Sequence, residues 1–151
     1  MRLILFILML VPLSGNAAAS LQGIWKSDHE QTMRFVKMHT LLEDRQLDFL
    51  EGLVGQLRLS FDGHAMRYRM PDLDISIQNK PQHFVGADDS YQYQVLGADK
   101  DSVAIKLNNF YGRDRIWHIH FVSDDVFWLY SEESDYGLKD LNFREYFRRI
   151  E

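Results

Sequence analysis

The sequence contains no cysteine in its 151 residues. This absence excludes disulfide scaffolds, thiolate zinc sites, iron–sulfur clusters and thiol nucleophiles. Basic residues are also fewer than acidic ones, with 17 Lys and Arg against 22 Asp and Glu and a formal net charge of −5. An acidic balance argues against a general nucleic-acid-binding protein.

Recognisable catalytic patterns are missing as well. The sequence has no Gly-x-Ser-x-Gly elbow, no His-Glu-x-x-His motif, no phosphate-binding loop and no dinucleotide fingerprint. We therefore expect no cofactor, and an enzyme is the weakest of the functional hypotheses.

The first 19 residues have the three parts of an export signal. Met1-Arg2 gives a positive start, Leu3 to Leu13 is apolar, and Ala17-Ala18-Ala19 has the small residues of a cleavage site. The apolar run is shorter than the roughly 20 residues of a spanning helix. We predict that residues 1–19 are a cleaved signal peptide. We then expect one domain over residues 20–151, exported to the periplasm or secreted, with no transmembrane segment after cleavage. The alternative is a retained N-terminal anchor.

The rest of the sequence predicts an all-β domain with a short helical insert. Gly23 to Lys26 reads as a first strand, and about residues 28–54 have the apolar spacing of two short amphipathic helices. Ser27 stands three residues before Glu30, which is the spacing of a capping box at a helix start. Apolar and polar residues then alternate in short segments separated by turn-type clusters. The predicted fold is an up-and-down antiparallel barrel of about 8–10 strands, although a two-sheet sandwich has a similar pattern.

Asp62-Gly63 is a strong signal for a tight hairpin. A two-residue loop at this point would place Leu59 opposite Met66 and Arg58 opposite Arg67. One face of the hairpin would then be apolar and the other basic.

Gly23-Ile24-Trp25 near the start of the domain, followed by many short strands, resembles the lipocalin-like (calycin) β-barrels. A helix pair directly after the first strand is similar to the fatty-acid-binding branch of that group. The resemblance implies that Trp25 plugs one end of the barrel and that Arg148 or Arg149 packs over it as a cation. The lipocalin motif Thr-Asp-Tyr is absent, and export departs from the cytosolic branch.

The same resemblance implies a ligand-binding pair in the last predicted strand. Arg144 and Tyr146 have the Arg-x-Tyr spacing with which fatty-acid-binding barrels hold a ligand carboxylate. Residues two apart share one face of a strand, so both side chains would have to point inward. The opposite register would place Phe143 and Phe147 inside, and these are the more apolar pair.

Two other groups of residues are candidates for binding. His118 and His120 share a strand face and could ligate a metal if a third ligand joined them, although a polar outer face is the simpler interpretation. Arg58, Arg67 and Arg69 share one face of a hairpin and could bind an anion, although pairing with nearby carboxylates is again simpler.

Two function classes besides an enzyme follow from these patterns. The leading hypothesis is an exported lipocalin-like domain that binds a small hydrophobic or lipid ligand inside the barrel. The alternative is a filled barrel that acts as an envelope-accessory or protein-interaction module without a ligand. The sequence does not distinguish them, because both depend on the interior volume.

Overall fold

The computed structural model describes residues 21–131 and 143–151. Two helices, α1 (His29–His39) and α2 (Asp44–Leu53), follow the first strand. The strands of the described residues are β1 (Gly23–Ser27), β2 (Arg58–Phe61), β3 (Ala65–Met70), β4 (Leu73–Ile77), β5 (Lys80–Phe84), β6 (Ala87–Ala98), β7 (Ser102–Phe110), β8 (Arg113–Ser123), β9 (Val126–Ser131) and β10 (Phe143–Arg149). The predicted signal peptide lies outside the described residues.

Eight of these strands form a closed antiparallel barrel in the order β1-β10-β9-β8-β7-β6-β3-β2. The barrel closes because β1 pairs with both β10 and β2. Strands β4 and β5 form a separate two-stranded hairpin. The predicted all-β class, the barrel and the helical insert are therefore confirmed, while the expectation that all strands form one series is wrong for β4 and β5.

Apolar side chains fill the barrel. Trp25, Phe127 and Phe147 are completely buried in its core, and each such side chain contributes about 1.5–3 kcal/mol by leaving water. The Trp25 ring lies 4.6 Å from the Phe127 ring, and its indole N–H donates to the Leu21 carbonyl at 2.9 Å.

The helices form a second apolar layer over one end of the barrel. Val36 of α1 and Leu50 of α2 are fully buried, and they share a core with Ile75 of β4 and Phe143 of β10. Asp28 is the N-cap of helix α1, and its carboxylate accepts from the Gln31 amide at 3.0 Å. The predicted start at Ser27 is therefore one residue early.

The β2–β3 hairpin has a longer loop than predicted. Phe61 pairs with Met66 and Arg58 pairs with Arg69, so the register differs from the predicted one by two residues. The reason is the Asp62 side chain, which accepts from the amides of His64 and Ala65 at 2.9 and 2.7 Å and so stabilises a wider turn. A shift of two residues leaves every side chain on its predicted face.

Candidate functional site

A cavity of about 180 Å³ lies at one end of the barrel, which we call the mouth. At the mouth, β3 and β7 end and β6 begins. Helix α2 and the β4–β5 hairpin, which together we call the lid, form one side of the cavity, which is partly open to solvent. Its walls are mainly apolar and aromatic and come from both the lid and the barrel: Phe49, Leu53, Tyr68, Met70, Phe84, Val85, Ala87 and Tyr111. An apolar cavity of about 150 Å³ is already large enough to bind benzene.

The interior below the mouth is nearly full. A second cavity, lined by Leu57, Trp117 and Phe147 among others, has a volume of only about 20 Å³. This is room for about one water molecule. Tyr68 and Tyr111 line both cavities, so their side chains lie between the mouth and the interior.

Glu145 of β10 carries a carboxylate into this interior and is only 1% exposed. Ser27 donates to one of its oxygens at 2.6 Å and Ser131 donates to the other at 2.9 Å. The Ser27 oxygen in turn accepts from the Gly55 amide at 2.9 Å, which ties the chain between α2 and β2 to the barrel. Burying a carboxylate is costly unless it is hydrogen-bonded, and this network supplies such bonds. Because Glu145 and Ser131 line the small cavity, the floor below the mouth is polar at one point.

Tyr111 occupies a distinctive position in the β7–β8 turn. Its φ is +47°, in the left-handed region that side chains with a Cβ seldom adopt. The residue is 55% exposed, and its ring makes an edge contact with Phe110 at 4.8 Å and with Tyr68 at 6.0 Å. The turn therefore holds a large aromatic side chain at the entrance against a conformational cost.

The phenol of Tyr91 on β6 lies near the mouth, with its ring 6.1 Å from that of Tyr111. Burial, assisted by the Asp89 carboxylate, raises the pKa of Tyr91 to about 12. Its hydroxyl consequently offers hydrogen bonds rather than charge at neutral pH. Burial also raises the pKa of Tyr93, which lies further along β6, beside the β2–β3 turn.

The structure places Arg144 and Tyr146 on the outside of the barrel. Phe143, Glu145 and Phe147 are the buried residues of β10, so it adopts the register with the two phenylalanines inside. The Arg144 guanidinium lies 4.1 Å from the centre of the Trp128 ring, on the outer face. The carboxylate clamp that the resemblance implied inside the barrel is therefore not formed by these residues, because burying the phenylalanines turns the arginine outward. A ligand-binding role for Arg144 and Tyr146 elsewhere stays a prediction.

The arginines at the end of β10 have different surroundings. The Arg149 guanidinium lies 4.2 Å from the centre of the Trp25 ring. Arg148 instead pairs with Asp28 at 3.0 Å. Of the two predicted cations, Arg149 is thus the one placed over Trp25, and a geometry of this kind is worth about 0.5–2 kcal/mol.

His118 and His120 lie on the outer face of β8. His120 stacks on Trp128 with ring centres 4.1 Å apart, and its pKa is lowered by burial and by the neighbouring His118 and Arg144. In the described part of the chain, no three histidine or carboxylate side chains converge as a metal site would require.

Sequence reasoning missed Glu145, Ser27 and Tyr111 as residues near the mouth. Glu145 stands between two phenylalanines spaced as inward residues, and this alternation is a signal that could have indicated a buried carboxylate. The position of Tyr111 has no comparable signal in the sequence, because it depends on how the turn folds back over the mouth.

Comparison with known proteins gives no match: no family model, no curated protein and no solved structure is significantly similar to this chain. Within the described ranges, neither helix has the length and hydropathy of a membrane span.

Proposed function

We propose that this protein is a lipocalin-like binding domain that holds a small, largely apolar molecule in the mouth cavity. The observation that carries the proposal is the cavity itself, about 180 Å³ between the lid and the barrel rim. Pockets between separate packed units are common ligand sites. The proposed ligand is close in size to a single ring, because the interior below it is filled.

The walls of the cavity favour a neutral ligand. None of its eight lining residues carries a formal charge. A ligand of this size that buries about 150–200 Å² would gain about 4–5 kcal/mol at 25 cal per Å². That gain corresponds to a dissociation constant of about a millimolar or somewhat below. We therefore expect weak binding of simple aromatic molecules and tighter binding of a molecule that also reaches a polar group.

Family and location belong to the same proposal. An eight-stranded antiparallel barrel with two short helices after the first strand is compatible with a calycin or fatty-acid-binding fold. The Gly23-x-Trp25 pattern, with a cation over the indole, adds to that likeness. The pattern of residues 1–19 supports export to the periplasm or the medium.

The test uses indole as a probe and two matched variants. Ala87 lines the cavity, so Ala87→Leu places a larger side chain in it. Ala104 lies on the outer face of β7, between the buried Val103 and Ile105, and Ala104→Leu is the control. We expect saturation-transfer NMR to detect indole binding to the wild type and to Ala104→Leu, and at least about tenfold weaker binding to Ala87→Leu. Equal binding by all three proteins would contradict the proposed site.

A second candidate function is a filled barrel that acts as a protein-interaction module. It is favoured by the interior cavity of about 20 Å³, which leaves no space for a ligand inside the barrel. Absence of binding by the wild type to indole, toluene and short-chain fatty acids would support this alternative and contradict the first.

A further inference from the structure

Four basic residues occupy consecutive cross-strand positions on the outer face of the barrel. Arg148 of β10 pairs with Lys26 of β1, Lys26 pairs with Arg58 of β2, and Arg58 pairs with Arg69 of β3. We call these four residues the cation row. Directly opposed residues in a sheet have Cβ atoms about 4.5–5.5 Å apart, and like charges at that spacing are destabilising. The row is unexpected in a protein of net charge −5.

Carboxylates neutralise only the two ends of the row. Arg148 pairs with Asp28 at 3.0 Å, and Arg69 pairs with Asp88 at 3.1 Å. In residues 21–131 and 143–151, neither Lys26 nor Arg58 forms an ion pair. The centre of the row therefore presents two adjacent positive charges to solvent.

A groove of about 350 Å³ runs beside the row on the same outer face. Its floor includes the next cross-strand set: Ile24 pairs with Ser60, Ser60 with Arg67, and Arg67 with Ser90. Residues two apart on a strand are about 6.5–7 Å apart, so the groove lies within reach of the row. These residues give the groove two hydroxyls, one apolar side chain and one guanidinium, and the carboxylate of Asp62 also lines it.

The acidic groups around this surface are already engaged. Asp88 accepts from both Arg67 and Arg69, and these bonds lower its pKa. Asp62 accepts from the amides of its own turn. Both carboxylates are therefore occupied by these bonds, and among the described residues the positive charges of Lys26 and Arg58 stay unpaired.

We propose that the cation row and the groove bind a phosphorylated small molecule. Its phosphate groups lie against Lys26 and Arg58, and its organic part lies in the groove against Ile24, Ser60 and Ser90. Arginine and lysine both donate charge-assisted hydrogen bonds to phosphate oxygens, and the pairing of Lys26 with Arg58 places two such donors side by side. This site is on the outer face and is independent of the mouth cavity.

The test measures binding of inorganic diphosphate by calorimetry at constant ionic strength. We expect Lys26→Gln and Arg58→Gln each to weaken binding about tenfold, since each removes a charge-assisted contact. Arg45→Gln is the matched control, because Arg45 is an exposed arginine on α2, outside the row. Relief of like-charge repulsion should leave the melting temperature of Arg58→Gln without ligand equal to that of the wild type or higher. Equal loss in Arg45→Gln, or no binding to the wild type in this or the vesicle assay, would overturn the proposal.

Two further measurements define the ligand. Binding to vesicles that contain phosphatidylglycerol, compared with binding to vesicles of phosphatidylcholine alone, shows whether the phosphate belongs to a lipid headgroup. If the protein binds the phosphatidylglycerol vesicles through Arg58 but does not bind diphosphate, the ligand is a lipid. Ribose 5-phosphate tests the groove with Ser60→Leu, which fills it. We expect this variant to lose at least about threefold in affinity for ribose 5-phosphate while diphosphate affinity is kept. Equal affinity of both proteins for ribose 5-phosphate would remove the groove from the proposal.

Discussion

Replacing Trp25 with alanine should remove more stability than any other single truncation of a tryptophan in this chain. The residue is completely buried, its ring lies 4.6 Å from Phe127, and its indole N–H donates to the Leu21 carbonyl. Large-to-small substitutions of buried tryptophan cost about 3–5 kcal/mol, because the cavity collapses only partly. A domain of this size has only about 5–15 kcal/mol of stability in total. The melting temperature should therefore fall by about 10–25 °C.

Urea denaturation followed by circular dichroism measures the change in the free energy of unfolding. Trp128→Ala is the matched control, because Trp128 lies on the outer face and is only partly buried. It should cost about 1–2 kcal/mol, mostly from its contacts with Arg144 and His120. A loss of less than about 1 kcal/mol in Trp25→Ala, or an equal loss in both variants, would show that Trp25 does not fill the barrel core.

A double-mutant cycle isolates the contact between Trp25 and Arg149. The guanidinium lies 4.2 Å from the ring centre. Combining Trp25→Ala with Arg149→Met should give an interaction energy of about 0.5–1 kcal/mol. A coupling of zero would mean that the arginine only covers the ring and adds no attraction.

Three other predictions concern pH, the buried network and glycine. Burial, His118 and Arg144 lower the pKa of His120, so the unfolded chain binds a proton at this histidine more readily than the folded chain does, and stability should fall as the pH drops below about 6.5. His120→Gln should reduce the pH dependence of the urea midpoint in this range, and an unchanged pH dependence would contradict the prediction. Ser27→Ala removes one of the two serine donors to the buried Glu145 carboxylate and should cost about 1–3 kcal/mol in urea denaturation. Ser76→Ala, at an exposed position, should cost less than about 0.5 kcal/mol, and similar costs for both variants would argue against the network. A Cβ at Gly86 would lie 2.2 Å from a carbonyl oxygen of β3, while a Cβ at Gly97 meets nothing within 4 Å. Gly86→Ala should therefore lower the melting temperature by several degrees, and Gly97→Ala should change it by no more than about 2 °C. A larger loss for Gly97→Ala than for Gly86→Ala would refute this local geometry.

The barrel could be predicted from the sequence because alternation is a local property. Leu57, Leu59 and Phe61 are spaced two apart, and all three are buried. The hairpin register was less predictable. Asp62-Gly63 favours a two-residue loop, but the Asp62 carboxylate binds two amides of the turn and a wider loop results. The side-chain faces survived this error because the register shift is two residues.

The separation of β4 and β5 from the barrel could not be read from alternation. Ile75 and Ile77 alternate with polar residues like any barrel strand, and both are buried. They belong to the core around α2, which also includes Phe143 of β10, and not to the core inside the barrel. Whether an apolar face meets a helix or the interior of a barrel depends on tertiary packing, which a period of two does not specify.

The candidate site was only partly predictable for the same reason. The resemblance predicted that Arg144 and Tyr146 on β10 point into the barrel. Burying Phe143 and Phe147 instead removes more apolar surface from water, so these two residues point inward and Arg144 and Tyr146 point outward. That choice brings Glu145 inside, where two serines that are distant in sequence donate to it. Contacts between residues more than 100 positions apart, such as that of Ser27 with Glu145, have no local signature in the sequence.

A crystal structure of the protein soaked with bromobenzene would test the mouth cavity most directly. The bromine gives an anomalous signal that reports the position of the ring without assumptions about its affinity. We predict a bromine peak between Phe49, Tyr68 and Tyr111, within the cavity of about 180 Å³, and its absence from Ala87→Leu crystals soaked in parallel. Bromine found only on the outer face of the barrel, or a mouth cavity that holds only water, would contradict binding at this site.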